Sequence, residues 1–164
     1  MKPELFADVP ATRTSRFRRY APLLLWMGFI FFASTAEFSG SNTSKVLEPL
    51  LLWFFPRINE ETIGIIHLIV RKAAHFTEYA IFAVLAARAF LGSSHDVLRR
   101  HWLLVALALI TFYSLSDEFH QSFVPTRTAS IYDSMIDTAG GFVTLVSLAL
   151  WRVWHNKQTR SASL

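Results

Sequence analysis

Residues 71–91 read RKAAHFTEYAIFAVLAARAFL, a stretch that is charged at its start and apolar over most of its length. From residue 73 onward it is long enough to cross a bilayer, because about 20 helical residues span an apolar core of about 30 Å. His75 and Glu78 lie in the first two turns of this span. The stretch therefore predicts a membrane-spanning helix with polar side chains near one end.

The composition of the whole chain agrees with a membrane protein. Of the 164 residues, 52% are hydrophobic and 17% are charged, whereas about a quarter of the residues in soluble domains carry a charge. Cysteine is absent, which excludes a disulfide scaffold, cysteine catalysis and cysteine-based metal sites. The net charge of +4 is explained by orientation in a membrane, and we predict no nucleic-acid partner.

Further apolar stretches extend the membrane prediction to the rest of the chain. Three approach the length of a span, at residues 20–36, 101–118 and 132–154. Two shorter ones, 46–55 and 62–70, are predicted to be interfacial or re-entrant helices. Alternatively, 62–70 continues into the span at 73–91, because Asn59 and the two glutamates after it form a typical helix start. The predicted fold class is an all-α integral membrane bundle of four transmembrane helices plus short interfacial helices.

Lysine and arginine in short loops favour the cytoplasmic side of a membrane. With the N-terminus inside, eleven of the sixteen basic residues are cytoplasmic. This arrangement predicts a basic cytoplasmic tail at 1–19, a four-helix domain at 20–154 and a cytoplasmic tail at 155–164. In an alternative interpretation of the first span, Ser34 and Ala36 form a signal-peptidase site, because small residues at this spacing follow an arginine-rich start.

This topology gathers polar side chains at the outer leaflet, where span two begins, span three ends and span four begins. The set comprises Arg71, Lys72, His75, Glu78, Asp117, Glu118, His120, Gln121, Arg127, Asp133 and Asp137. An unpaired charge at mid-bilayer costs about 2.5–3.5 kcal/mol on insertion scales, so such groups normally face the protein interior and pair. We therefore expect the set to line one pocket, with its carboxylates matched by the basic residues or by a protonated histidine.

Helical spacing predicts which side of the fourth span faces the bundle, because residues three or four apart share a face. Asp133 and Asp137 form a stripe that continues through Gly140. Ser134 and Gly141 form a second stripe beside it. Small residues allow close helix packing in membranes, so both stripes are predicted to face other helices and not lipid.

Two of these blocks resemble the signature blocks of VanZ-like membrane proteins: RKAAHFTEYAIFAVL at 71–85 and SDEFHQSFVPTRTASIYDSMIDTAGG at 116–141. The resemblance implies a small multi-pass protein of the bacterial cytoplasmic (inner) membrane, in a family whose namesake is associated with teicoplanin resistance and whose name carries no settled reaction. Thr126 stands where the family usually has a glycine. The family pattern maps onto Lys72, His75, Glu78, Tyr79, Asp117, Glu118, Gln121, Arg127, Asp133, Asp137 and Gly140.

The favoured functional prediction is a binding protein of the cell envelope. Its partners are membrane lipids and a ligand that is a lipid-linked envelope precursor or a glycopeptide, with an effect on teicoplanin susceptibility implied by the resemblance. Mixed basic and acidic groups at the outer interface suit the headgroup of such a ligand. The residues predicted to bind it are Arg71, Lys72, Tyr79, Gln121, Arg127 and Asp133.

The alternatives are a membrane-embedded hydrolase or transferase that acts on an envelope lipid, and a structural subunit of an envelope complex. In the enzyme, histidine would exchange a proton, or histidine and carboxylates would hold zinc, manganese or magnesium. The spacing of His75 and Glu78 is not a recognised metal motif, and the sequence specifies neither a metal nor another cofactor. The residues predicted to be catalytic are His75, Glu78, Asp117, Glu118 and Asp137.

Overall fold

The structure is a computed structural model that describes residues 13–35, 40–125 and 129–161. All regular secondary structure in these ranges is helical, which confirms the all-α prediction. The elements in chain order are α1 (Arg13–Ala33), α2 (Gly40–Phe54), α3 (Glu60–Leu91), α4 (Asp96–Arg100), α5 (Trp102–Gln121) and α6 (Ile131–Ser161).

Helix α3 is the longest element, and its start is the one that the sequence predicts. The side chain of Asn59 caps the helix by accepting a hydrogen bond from the backbone N–H of Thr62 at 2.8 Å. Glu60 and Glu61 lie in the first turn, where the helix dipole favours negative charge. Residues 62–70 therefore continue without interruption into the predicted second span. The 32 residues of α3 measure about 48 Å in length, more than the thickness of the apolar core of a bilayer.

Three helices among the described residues are long and apolar enough to cross a membrane: α3, α5 and the segment Ile131–Thr159 of α6. These helices make the chain a multi-pass membrane protein. Helix α1 is not among them, because Arg16, Arg18 and Arg19 occupy its first turns. The prediction of four transmembrane helices is thus confirmed for three of them.

Helices α3 and α6 run parallel and in register. Arg71 contacts Asp133 and His75 contacts Asp137, and in both pairs the partners are 62 residues apart in the sequence. Both of these polar residues of α3 thus face the residue of α6 at the same depth. The site described below is built on this register.

Helices α1 and α5 also run parallel to each other, in the direction opposite to α3 and α6. The hydroxyl of Tyr113 donates to the backbone oxygen of Met27 at 2.5 Å, and Ser34 contacts Asp117 nearer the ends of both helices. At the opposite end of the bundle, Tyr20 donates to Ser93. Helix α1 therefore extends from the end of α3 to the polar end of α5.

Small residues of α6 bring its backbone close to two neighbours, as the two predicted stripes require. A Cβ on Gly140 would collide with the backbone oxygen of Phe76 in α3. A Cβ on Gly141 would lie 2.8 Å from a methyl group of Ile110 in α5. One stripe therefore packs on α3 and the other on α5. Beneath the polar residues, Tyr79 and other buried side chains of α3 continue into an apolar core.

The predicted C-terminal tail, 155–164, is helical as far as Ser161, because α6 continues past the last predicted span residue. Its described side chains are exposed. The first twelve residues of the predicted N-terminal tail and residues 162–164 lie outside the described residues.

Candidate functional site

Ten of the eleven residues predicted to bind or catalyse belong to the described part of the chain, and they lie where α1, α3, α5 and α6 meet. The eleventh, Arg127, and the neighbouring Thr126 lie outside it. His120, which we also expected at the pocket, stacks on Phe31 of α1 with the ring centroids 4.4 Å apart.

Arg71, Lys72 and Asp133 form what we call the rim of the site. Asp133 is 1% exposed, and its carboxylate pairs with both cations: Arg71 Nη2 lies 3.3 Å from Oδ2, and the Lys72 ammonium contacts Oδ1. The two basic side chains are 32% and 30% exposed. Arg71 Nε is buried and has no hydrogen-bond partner among the described residues. Two cations and one carboxylate leave the rim with a net positive charge and an unused donor.

His75 and Asp137 lie one helical turn below the rim. The Nδ1 of His75 lies 3.1 Å from Oδ1 of Asp137, and both side chains are buried. Because a carboxylate accepts, Nδ1 carries the proton of this bond, and Nε2 is the ring nitrogen that can take up another. Glu78, half-buried and three residues further along α3, adds its charge to the field at His75. Asp137 is thus matched by a histidine, one of the partners expected for the carboxylates of this set.

Asp117 is held by two partners, one from its own helix and one from the end of α1. Gln121 Nε2 donates to Asp117 Oδ2 at 2.9 Å, as expected for residues four apart on a helix. Ser34, which directly follows α1, donates through Oγ to Asp117 Oδ1 at 2.6 Å and is 4% exposed. The sequence indicates Ser34 only as part of a possible cleavage site, and its one further signal is that of a polar side chain at the end of an apolar run.

Glu118 connects α5 to the start of α6. Its Oε2 accepts a hydrogen bond from the backbone N–H of Ser130 at 2.7 Å. One turn earlier on α5, the hydroxyl of Ser114 bonds to Ser134 Oγ at 2.5 Å. The sequence does not predict Ser114 or Ser130 as part of the site, because a single serine gives no spacing signal that would indicate a contact with another helix. Both contacts fix the helix that carries Asp137.

The side chains that could bind a metal have other hydrogen-bond partners: His75 bonds to Asp137, Asp117 to Ser34 and Gln121, and Glu118 to the backbone of Ser130. Within the described ranges, no group of three or more histidine, aspartate or glutamate side chains is arranged to hold a metal ion. Asp117, Glu118 and Asp137 are nevertheless close enough to interact electrostatically. The arrangement can therefore bind an anion at the rim and exchange a proton at His75.

The fold and this buried polar cluster define a multi-pass helical membrane protein. The family model described as VanZ/LLP1 matches residues 20–152, a range that includes both sequence blocks discussed above. The chain therefore belongs to the VanZ/LLP1 family, as its resemblance to VanZ-like proteins predicts. No curated protein and no solved structure matches it significantly.

Proposed function

We propose that this VanZ-family protein binds a phosphate-bearing headgroup of an envelope lipid or lipid-linked precursor at the rim. The observation that carries the proposal is the unpartnered, buried Nε of Arg71 beside the Lys72 ammonium, both half-exposed cations held by the buried Asp133. A guanidinium presents its donors in a planar fork that matches two phosphate oxygens, and an ammonium adds a point charge.

The placement of the rim suits a lipid. Arg71 and Lys72 lie on a helix that can cross the membrane, and the side chains around them on α3 include the exposed Ile69 and Val70. A headgroup at the rim thus leaves its hydrocarbon chain beside apolar protein surface. A soluble anion would gain nothing from this surface, which favours a ligand with a lipid anchor.

We further propose that α1 is the fourth transmembrane helix and that both termini lie in the cytoplasm of a bacterium. The proposal is supported by the hydrogen bonds of α1 at both ends of the bundle, through Tyr20 and Ser34. It is also supported by the alternating directions of α1, α3, α5 and α6. A chain that crosses the membrane four times has both ends on one side, and the distribution of basic residues favours the cytoplasm.

Native mass spectrometry of the detergent-solubilised protein tests the binding proposal. The probes are dioleoyl phosphatidic acid and dioleoylglycerol, which differ in the phosphate. The triple variant Arg71→Gln/Lys72→Gln/Asp133→Asn removes the rim charges together, because removing the cations alone would leave a buried carboxylate unpaired.

We expect the triple variant to bind phosphatidic acid at least about tenfold more weakly, since a hydrogen bond to a charged group contributes about 1.5–3 kcal/mol and about 1.4 kcal/mol is tenfold. Arg99→Gln is the matched control, because Arg99 pairs with Asp96 on the exposed helix α4. Equal binding of both lipids by the unmodified protein would refute the proposal.

A second candidate function is phosphate ester hydrolysis, and the His75–Asp137 pair specifically favours it. In this reaction Nε2 of His75 takes a proton from a water molecule, whose oxygen attacks the phosphorus. The bond from phosphorus to the lipid oxygen breaks, and that oxygen receives the proton. Release of inorganic phosphate from phosphatidic acid is the measurement. We expect His75→Gln and Glu78→Gln to abolish this release of phosphate, while the affinity for phosphatidic acid stays within a few fold of that of the unmodified protein.

The effect on teicoplanin susceptibility is a proposal that rests on the family resemblance alone. It is tested by expressing the chain in a teicoplanin-sensitive bacterium and measuring the minimal inhibitory concentration. An increase that disappears in the triple rim variant would link the phenotype to the site, and an unchanged concentration would argue against this role.

A further inference from the structure

We propose that the end of the bundle opposite the rim has a second anion site, in which Arg19 binds the phosphate of an anionic phospholipid. This site is separate from the rim and does not depend on ligand binding there. It lies where the beginning of α1 meets the end of α3. We call Arg19 together with Gly92 and Ser93 the Arg19 site.

The side chain of Arg19 lies against the turn that ends α3. A Cβ built on Gly92 would lie 3.4 Å from Arg19 Nε and 3.7 Å from its Cδ. The next residue, Ser93, is 3% exposed, and its Oγ accepts hydrogen bonds from the hydroxyl of Tyr20 at 2.9 Å and from the backbone N–H of His95 at 3.1 Å. These contacts hold the turn beside the helix that carries Arg19.

The guanidinium of Arg19 has a donor that the protein does not use. Its Nη1 is buried and has no hydrogen-bond partner among the described residues. The carbonyl groups at the end of α3 provide a partial negative charge, but no described one accepts from Nη1. Because a buried N–H is almost always bonded in native proteins and a guanidinium is always charged, we expect an anionic acceptor beside this atom.

The charges around the Arg19 site are mostly positive. Two further arginines precede it on α1, and Arg88 lies in the last turn of α3. Asp96 is the nearest acidic residue in the sequence to the turn, and it is exposed and paired within its own short helix. The other acidic residues of the described ranges lie at or before Glu78 on α2 and α3, or towards the rim end of α5 and α6. The missing anion is therefore expected to come from outside the chain.

Orientation in the membrane does not by itself explain the position of Arg19. Basic residues that orient a membrane protein can remain in water, and Arg16 and Arg18 are indeed exposed. Arg19 is instead half-buried, packs on another helix and places one of its donors out of contact with water. This burial distinguishes the Arg19 site from the general positive charge at this end of the bundle.

The surface beside the Arg19 site suits a lipid. The backbone oxygen of Arg88 and Arg19 Nε both lie 3.4 Å from the position of a Cβ on Gly92, so the two arginines are neighbours. Ile81 and Val84, on the same face of α3 as Arg88, are 38% and 43% exposed. A phosphate held by the planar fork of Arg19 would thus leave its hydrocarbon chains beside apolar side chains of a helix that can cross the membrane.

Native mass spectrometry of the detergent-solubilised protein with dioleoyl phosphatidylglycerol tests the proposal, because each bound lipid adds its own mass. We expect the unmodified protein to bind two molecules. The first fills the rim, where Asp133 holds two cations, and the second fills the Arg19 site. Dioleoyl phosphatidylcholine, which has no net charge, should bind at the second step at least about tenfold more weakly.

Arg19→Gln is expected to weaken the second binding step at least about tenfold, because it removes a hydrogen bond between charged groups. Arg18→Gln is the matched control. It removes the same charge from the neighbouring exposed residue and should change this step by less than about twofold, because exposed charges are screened at physiological ionic strength. Arg19→Lys retains the charge without the planar fork and should weaken the step about threefold. It decides if Arg19→Gln does not fold.

Equal effects of Arg19→Gln and Arg18→Gln would overturn the proposal, since the lipid would then respond only to the general charge of this end. Displacement of the second lipid by an equal concentration of inorganic phosphate would also overturn it, because the ligand would then be a soluble anion. The triple rim variant should lose the first binding step and keep the second. A single bound lipid that is lost in Arg19→Gln and kept in the triple rim variant would refute the rim proposal and support this one.

Discussion

The imidazole of His75 and the carboxylate of Asp137 are joined by a hydrogen bond of 3.1 Å that connects α3 to α6 inside the bundle. One turn away, Arg71 and Asp133 repeat the same connection in the same register. The contacts that align these two helices are thus also the contacts that form the candidate site. Each variant at these positions must therefore be measured for the amount of folded protein as well as for function.

Replacing Asp137 by asparagine separates the functional interpretation from the structural one. We expect Asp137→Asn to insert and fold normally, because its amide oxygen still accepts from His75 and an amide costs less to bury than a charge. Release of phosphate from phosphatidic acid should fall at least about tenfold, since the carboxylate that orients His75 and stabilises its protonated form is lost. Protein amount and phosphate release are measured on the same sample, with Asp133→Asn beside it.

Unchanged phosphate release by Asp137→Asn would reduce the residue to a packing role. Disappearance of the protein from the membrane would indicate a structural ion pair, because removal of one partner leaves the other charge unpaired.

A methyl group at Gly140 is expected to disrupt the pairing of α3 and α6. The new Cβ in Gly140→Ala would collide with the backbone oxygen of Phe76, which moves only if α3 moves. Overpacking of this kind costs about 1–3 kcal/mol, so the melting temperature of the detergent-solubilised protein should fall.

Gly28→Ala on α1 is the control for this prediction, because nothing lies within 4 Å of its added Cβ and alanine favours helix by about 1 kcal/mol over glycine. The melting temperature of Gly141→Ala should lie between those of Gly140→Ala and Gly28→Ala, since the side chain of Ile110 can adjust to the added methyl group. Equal melting temperatures for Gly140→Ala and Gly28→Ala would contradict the close approach of the helices.

Ser34 is expected to be required for the site although it follows α1, a helix that carries none of the predicted site residues. Ser34→Ala removes one of the two hydrogen bonds to Asp117 and should destabilise the protein by about 1–3 kcal/mol, because a buried oxygen is left without a partner. Ser34→Thr retains the hydroxyl and should recover most of the stability that Ser34→Ala loses, as measured by thermal unfolding.

Ser147→Ala provides the comparison, since Ser147 is exposed and bonds only to the backbone oxygen of Val143 in its own helix. Identical melting temperatures for Ser34→Ala and Ser147→Ala would show that the contact between α1 and α5 contributes nothing to stability.

Reporter fusions test the proposed topology. Fusions after Leu164 and within 93–96 should be cytoplasmic, and fusions within 41–44 and 125–129 should be external, because basic residues in short loops stay inside. An external C-terminus would reverse the side on which the site lies. Absence of the residues before Glu37 from the mature protein would instead support a signal peptide.

Some features of this chain could be predicted because they depend on residues close together in the sequence. The start of α3 follows from Asn59 and the glutamates after it, whose capping acts within one turn. The inward side of α6 follows from the spacing of Asp133, Asp137 and Gly140, because helical geometry determines which residues share a face.

The apolar lengths also determined three membrane-spanning helices, and the cost of unpaired charge in lipid determined that the polar residues would gather inside the bundle. Because both rules act on each helix separately, neither rule specifies which residues of different helices meet.

Only the tertiary structure decided the partners. Asp133, not Asp137, takes both Arg71 and Lys72, and Asp117 is completed by Ser34 from a helix that ends more than eighty positions earlier. These pairings depend on the relative depth and rotation of whole helices, which are set by close contacts such as that of Gly140 with the backbone of α3. Such contacts join residues that are far apart in the chain, and no spacing within one helix encodes them.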